Sequence, residues 1–297
     1  MKDLQGVGTA LVTPFKKDGS IDWAALRWLI KKQIQTGVDF LVLCGTTGEA
    51  SALSRAEHIK VIVHAIKIAN GRLPVIAGTG SNNTVEAVDL TKMAKKAGAD
   101  GVLVVSPYYV KPMPAGFRDY YRKVAAVGLP VILYDIPGRT GKGVPTDVIL
   151  ELAHEGSIGG MKWASGDPSQ VVNIFDKKPK GFSLFSGDDS LTLILLMSGG
   201  NGVISVVSNL VPAEMVEFVS VMLAEKTDEA REKYYALLPL MQAMFIETNP
   251  IPVKTALALC FPGIVHPTLR SPMSPMEPDN KKELIKALED YYGLLNQ

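Results

Sequence analysis

Residues 74–106 read PVIAGTGSNNTVEAVDLTKMAKKAGADGVLVVS, and this one stretch sets the architecture. Pro74–Gly78 and Gly101–Ser106 are short runs rich in β-branched residues, bounded by Gly or Pro, as strands buried on both faces are. Between them a helical pattern opens at Thr84 and closes at Gly98, with Lys92, Lys95 and Lys96 towards its negative C-terminal end. Strand, helix and strand in that order form a βαβ unit with a parallel pair and a right-handed crossover.

The same unit recurs on both sides. Six further runs have the composition of buried strands: Val7–Val12, Phe40–Cys44, Pro130–Tyr134, Ile158–Lys162, Phe182–Ser186 and Gly202–Val206. In the first helix Asp22 is an N-cap, Leu26, Leu29, Ile30 and Ile34 share a face, and Gly37 ends the pattern. Eight strands alternating with helices favour a closed (β/α)8 TIM barrel over an open sheet. The weakest strands are the sixth, which carries Gly159-Gly160, and the seventh. After the eighth, Pro212–Ala224, Glu229–Ile246, Pro252–Leu259 and Lys281–Tyr292 read as helices. The expected division is a barrel over residues 1–224 and a C-terminal helical extension over residues 225–297.

A chain of 297 residues, 47% of them hydrophobic, is long enough to bury such a core. Its 31 basic and 30 acidic residues nearly cancel, so the balance gives no reason to expect nucleic acid or an anionic membrane as partner. Cys44 and Cys260 lack zinc or disulfide spacing. The first residues have no apolar signal core, and no apolar run approaches the roughly 20 residues that span a bilayer. A soluble, cytoplasmic protein is expected.

In a parallel barrel the chemistry collects at the C-terminal strand ends. After the second strand, Gly45-Thr46-Thr47-Gly48-Glu49 offers successive backbone N–H groups to an anion, or is an ordinary turn with Thr caps. Tyr108 and Tyr109 follow the fourth strand. Tyr134 ends the fifth, and Arg139 follows in a Gly/Pro-rich loop with a fork suited to a carboxylate. The three tyrosines and Arg139 have plainer readings, as core packing and as a solvated charge. Lys162 ends the sixth apolar strand. It is either a buried amine with a lowered pKa, able to attack a ketone, or a lysine that snorkels or pairs with a carboxylate. None of the four histidines is expected near a strand end, and none has metal-ligand spacing. Asp188-Asp189 reads as an Asx-type cap sooner than as a Mg²⁺ site. The lysine-rich run Asp176–Lys180 reads as a solvated loop.

Taken in order, GTTGE (45–49), AGTGSNNT (77–84), SPYY (106–109), YDIPGRTG (134–141), SGDD (186–189), GVISV (202–206) and NPIPVK (249–254) resemble the dihydrodipicolinate synthase family over nearly the whole chain. That family lies within the superfamily of pyruvate-dependent class I aldolases that includes N-acetylneuraminate lyase. The resemblance implies a lyase that needs no cofactor and no metal. It implies that Lys162 forms a Schiff base with pyruvate, that Tyr134 relays protons, and that Thr46 and Tyr109 complete the hydroxyl relay. Tyr109 is implied to reach into a neighbouring subunit, and the assembly to be a homotetramer. The Thr46-Thr47 backbone is implied to hold the pyruvate carboxylate, Arg139 the carboxylate of the second substrate, and Gly187 and Ile204 to line the pyruvate pocket. The implied reaction joins pyruvate to L-aspartate-4-semialdehyde, giving 4-hydroxytetrahydrodipicolinate on the route to diaminopimelate and lysine.

The alternative within the superfamily is an aldolase or dehydratase acting on a sugar acid or 2-oxo acid. Thr46, where the sugar-acid lyases typically have serine, and Arg139, which they lack, favour the synthase. Outside it stand a silent homologue whose site Trp163 blocks and a pyridoxal-phosphate enzyme using Lys162. Trp163, Val110, Asp135 and Ser271 depart from the family pattern, and they bear on the second substrate more than on pyruvate. By strand alternation Trp163 points away from the Lys162 side. Some members are inhibited by lysine, and His58, Asn82, Glu86 and Tyr108 match that allosteric site, with Arg55 where inhibitable enzymes often have histidine.

Overall fold

A computed structural model describes residues 4–294. Eight parallel strands close on themselves in sequence order. They are β1 (Gly6–Ala10), β2 (Phe40–Leu43), β3 (Val75–Gly78), β4 (Gly101–Val105), β5 (Val131–Asp135), β6 (Gly160–Trp163), β7 (Ser183–Ser186) and β8 (Gly202–Ser205). Around them lie α1 (Trp23–Gln35), α2 (Arg55–Ala69), α3 (Thr84–Ala97), α4 (Pro114–Ala125), α5 (Pro137–Thr140), α6 (Thr146–His154), α7 (Pro168–Lys177), α8 (Thr192–Met197) and α9 (Pro212–Leu223). Then come α10 (Thr227–Ala243), α11 (Ile251–Cys260) and α12 (Pro278–Leu294). The barrel with C-terminal helices is the architecture that the strand and helix patterns imply.

Local chemistry sets the element ends. The Asp22 carboxylate accepts from the N–H groups of Ala24 and Ala25 and caps α1 as expected. Asn83 does the same for α3, and Ser54 with Glu57 forms a capping box on α2. The sixth strand starts two residues later than its pattern suggests, at Gly160. The glycine that weakened the reading is required there, because a Cβ on Gly160 would come within 2.8 Å of the Ser183 carbonyl oxygen on β7.

Strand alternation separates two buried layers. Leu41, Val75, Val102, Leu133, Met161, Leu184 and Val203 face outward into the helices. Phe40, Val42, Ile76, Leu103, Ile132, Tyr134, Phe185 and Ile204 face inward. Tyr134 pairs with Lys162, and Lys162 with Phe185, in the registers of β5–β6 and β6–β7. Register partners share a face, so Lys162 belongs to the inner row. Trp163, the next residue, points outward into the helix layer, as alternation requires, and cannot block the mouth.

The barrel floor is packed by aromatics. The ring centroids of Phe40 and Phe185 lie 5.4 Å apart, and Gly8 leaves room for the Phe40 ring, which a Cβ there would meet at 2.0 Å. Truncation of Phe40, which has no exposure, opens a cavity that rigid strands cannot close. Phe40→Ala is expected to lose about 3–5 kcal/mol in urea unfolding, against about 1 kcal/mol for removal of the α1 cap by Asp22→Ala. A Phe40→Ala loss no larger than that of the cap variant would show that the inner row does not hold the barrel.

Candidate active site

At the barrel mouth the inner row ends on Tyr134 and Lys162. The Lys162 side chain does not snorkel, for the residue is 5% exposed. Its Nζ stands 4.4 Å from the centroid of the Tyr134 ring. No carboxylate is ion-paired with it among the described residues, so the pairing alternative falls with the snorkelling one. Burial is the main force on its titration and brings the ammonium down to about 8; Asp189 and Asp188 oppose that shift and Arg139 adds to it. Gly187 makes room for this chain, since a Cβ there would lie 3.0 Å from Lys162 Cε and 2.8 Å from the Trp163 carbonyl oxygen.

The Tyr134 hydroxyl is pushed the other way, up to about 12, by burial above all, while Arg139 and the Thr46 side chain pull it down. An amine that is partly neutral near pH 8 beside a phenol that keeps its proton is a nucleophile next to a proton donor. Asp189 is buried, and its carboxylate accepts from the N–H groups of Val206 and Val207, both at 2.9 Å. Asp188 caps the turn after β7 by accepting from Ser190 N–H at 2.9 Å, the Asx-type role its sequence suggests.

The loop after β2 bends sharply at Cys44 (φ +54) and Glu49 (φ +51), both in left-handed backbone. Thr46 is half-buried and Thr47 buried. The Thr47 hydroxyl oxygen accepts from Asn249 Nδ2 at 3.0 Å. Arg139, exposed on α5, donates from Nη2 to the Asn249 carbonyl at 3.1 Å, which sets its guanidinium over the mouth. Ile204 is fully buried on β8 within the inner row. Asn249 belongs to the NPIPVK stretch, and so does Lys254, whose Nζ donates to Glu49 Oε1 at 2.5 Å. Residue reasoning passed over these two and Glu49. The available signal was a lone lysine inside the apolar run 251–259, which needs a buried partner.

A cavity of about 450 Å³ opens beside the mouth. Thr46, Tyr134 and Arg139 stand on its wall, and so do Arg55, His58, Glu86 and Tyr108. Asn82 is half-buried nearby in sequence but does not line it. His58 corrects an expectation: its Nε2 lies 2.8 Å from the carbonyl of Gly78, the last residue of β3, so a histidine does reach a strand end. The contact spans two elements, α2 and β3, and six-residue spacing to His64 says nothing about it. Tyr109 does not enter the site of its own chain. It is 86% exposed, with left-handed backbone at φ +70.

Comparison with known proteins agrees with this geometry. The model of the dihydrodipicolinate synthetase family matches residues 3–291. The 4-hydroxy-tetrahydrodipicolinate synthase of Syntrophobacter fumaroxidans is 47% identical over 292 residues, covering 98% of this chain and 99% of that one. The solved 4-hydroxy-tetrahydrodipicolinate synthase of Methylacidiphilum fumariolicum SolV superposes with a TM-score of 0.96 at 42% identity, over 99% of this chain and 97% of that one. A dihydrodipicolinate synthase from Cyanidioschyzon merolae with lysine bound gives 0.93 at 36% identity, over 97% of this chain and 98% of that one.

The lowered pKa of Lys162 has a measurable consequence. Below about 8 the ammonium dominates, so the rate of trapping a small ketone on Lys162, at constant reductant, is expected to rise about tenfold per pH unit and to level off above 8. Intact-protein mass spectrometry reads the adduct. A rate that is flat across that range would mean that Lys162 is not limited by its protonated form.

Proposed function

The chain belongs to the dihydrodipicolinate synthetase family, and from that premise we propose that it is a lyase joining pyruvate to L-aspartate-4-semialdehyde to give 4-hydroxytetrahydrodipicolinate. The observation that carries the reading is the buried, unpaired Lys162 amine against the Tyr134 ring at the end of the inner row.

Neutral Lys162 attacks the pyruvate ketone carbon. The carbinolamine loses its hydroxyl as water, with the proton coming from the Tyr134 side, and leaves an iminium. That cation draws electrons from the adjacent methyl group, which gives up a proton and becomes an enamine carbon nucleophile. The enamine attacks the aldehyde carbon, forming the new C–C bond and leaving a hydroxyl there, and the substrate's own amino group then attacks the iminium carbon, closing the ring and displacing Lys162 as its free amine. Tyr134 holds its proton too tightly to act alone, and Thr46 with Tyr109 of a neighbouring copy supplies the relay. The strong exposure of Tyr109 supports that role and an assembly of at least a dimer, with a homotetramer as the full form. The Thr46-Thr47 backbone takes the pyruvate carboxylate, Gly187 and Ile204 shape the pocket, and Arg139 takes the carboxylate of the aldehyde. Free small molecules are the substrates, and the cytoplasm is the place of work; no helix among the described residues is long and apolar enough to cross a membrane.

Arg55, His58, Glu86 and Tyr108 form a lysine-binding wall in the same reading, with Asn82 beside it and outside the lining. Arg55 is held by Asp89 at 3.2 Å, which tempers its repulsion of the ligand's ammonium group. Glu86 offers that ammonium a carboxylate.

The deciding assay couples product formation to the next reductase and follows NADPH absorbance. Turnover is expected in the parent and none in Lys162→Ala; Tyr134→Phe is expected to lose roughly 100- to 10,000-fold in kcat. Arg139→Ala is expected to raise KM for the aldehyde by about tenfold or more and to leave pyruvate nearly unaffected. No turnover in the parent refutes the synthase reading, and an adduct with pyruvate in that case marks a different aldolase. In the same assay L-lysine at millimolar concentration is expected to inhibit the parent and not Glu86→Ala. An unchanged parent rate would remove the regulatory site.

A further inference from the structure

The loop at residues 45–49 is tied to the C-terminal helices by two contacts that cross 202 and 205 residues of chain. One is the bond from Asn249 to Thr47. The other is the ion pair between Lys254 and Glu49, whose side chains are 0% and 2% exposed. Glu49 uses its second oxygen as well, since Oε2 accepts from the backbone N–H of Arg270 at 3.1 Å.

The surroundings make this a rigid junction. Lys254 Nζ lies 4.2 Å from the centroid of the Phe15 ring, and Arg270 Cζ lies 4.4 Å from it. Phe15, fully buried, belongs to the segment after β1. From the same segment the Thr13 hydroxyl donates to the Gly48 carbonyl at 2.7 Å. Three stretches of chain therefore fix the 45–49 backbone: the segment after β1, the start of α11, and the segment that carries Arg270.

Stability does not explain such a pair. Two buried charges lose about as much hydration as they regain from each other, and apolar side chains of similar shape hold a core as well. A buried pair does fix position, because each partner has one place where it is satisfied. Glu49 is the last residue of the loop, in left-handed backbone, and its N–H donates to the Thr46 carbonyl at 3.0 Å. Displacement of Glu49 rotates the peptide groups of Thr46 and Thr47.

We propose that Lys254, acting through Glu49, and Asn249, acting through Thr47, are positioning residues that aim the 45–49 backbone N–H groups at the carboxylate of the 2-oxo acid substrate. The inference rests on the pyruvate reading given above. Neither residue touches the reacting atoms. Their effect falls on capture of the carboxylate and on imine formation, before the aldehyde arrives.

The test is borohydride trapping of pyruvate on Lys162 in the whole chain, read by intact mass against pyruvate concentration. The variants are Glu49→Gln/Lys254→Met, which removes both charges and strands neither, and Asn249→Ala. The pyruvate concentration at half-trapping is expected to rise about tenfold in the double variant and severalfold in Asn249→Ala, with KM for the aldehyde at saturating pyruvate changed by less than about twofold. A variant that is only less stable loses adduct yield without moving the half-point. Should the double variant not fold, Glu49→Gln alone serves: it keeps the shape, and Lys254 sheds its proton beside the neutral amide. Folded variants with the parent's half-point overturn the proposal. Absence of adduct in the parent overturns the pyruvate reading and this proposal with it; a parent that traps while the variants do not shift overturns this proposal alone.

Discussion

A closed eight-stranded parallel barrel admits one row of inward side chains from each strand, and everything at the mouth depends on which residue ends that row. The interior below is filled by Phe40, Phe185, Ile76, Leu103 and Ile132, all buried. A lysine that ends a row on this floor has apolar packing under it, and Lys162 is accordingly 5% exposed. Lys162 and Tyr134 lie in register on adjacent strands, so one packing constraint sets both the burial and the contact. A shift of one residue on β6 would exchange Lys162 for Trp163 and abolish the site.

Three lysines share a pKa lowered to about 8, and they show why titration alone does not identify a nucleophile. Lys254 is ion-paired with Glu49, and its amine is occupied. Lys32 donates to the Leu210 carbonyl at 2.6 Å and lies over the rings of Trp28 and Phe261. Lys162 has a phenol ring beside it and no ion-pair partner among the described residues. Burial gives all three an accessible neutral form. Only at Lys162 is that form left without a competing acceptor, next to a group that can hand over a proton.

Much of this was legible in the sequence because it is local or periodic. Alternation placed Lys162 inward and Trp163 outward, and the capping residues of α1 and α3 stand at or beside the expected positions. What escaped is non-local. His58 reaches Gly78 only because α2 packs on β3. Glu49 and Lys254 are far apart in the chain, and no period connects them. The start of β6 was displaced for a third reason: the close approach of β7 favours glycine at a strand position where propensity argues against it.

The distribution of backbone strain ties these strands together. Six non-glycine residues adopt positive φ among the described residues. Asn70 and Glu225 follow helix ends, where the left-handed turn is ordinary. The other four, Cys44, Glu49, Tyr109 and Lys111, sit in the loops after β2 and β4, on the rim of the mouth. Each costs on the order of 1 kcal/mol or more and persists only where its surroundings over-determine it. At Glu49 the surroundings are visible: a buried ammonium, a backbone N–H and a neighbouring segment held by Thr13. At Tyr109 they are not, for its side chain is bare in the single chain. The strain at the first loop is thus held from within, by the C-terminal helices. The strain at the second lies beside a Tyr109 side chain that packs against nothing in its own chain, so burial within the chain is not what holds it.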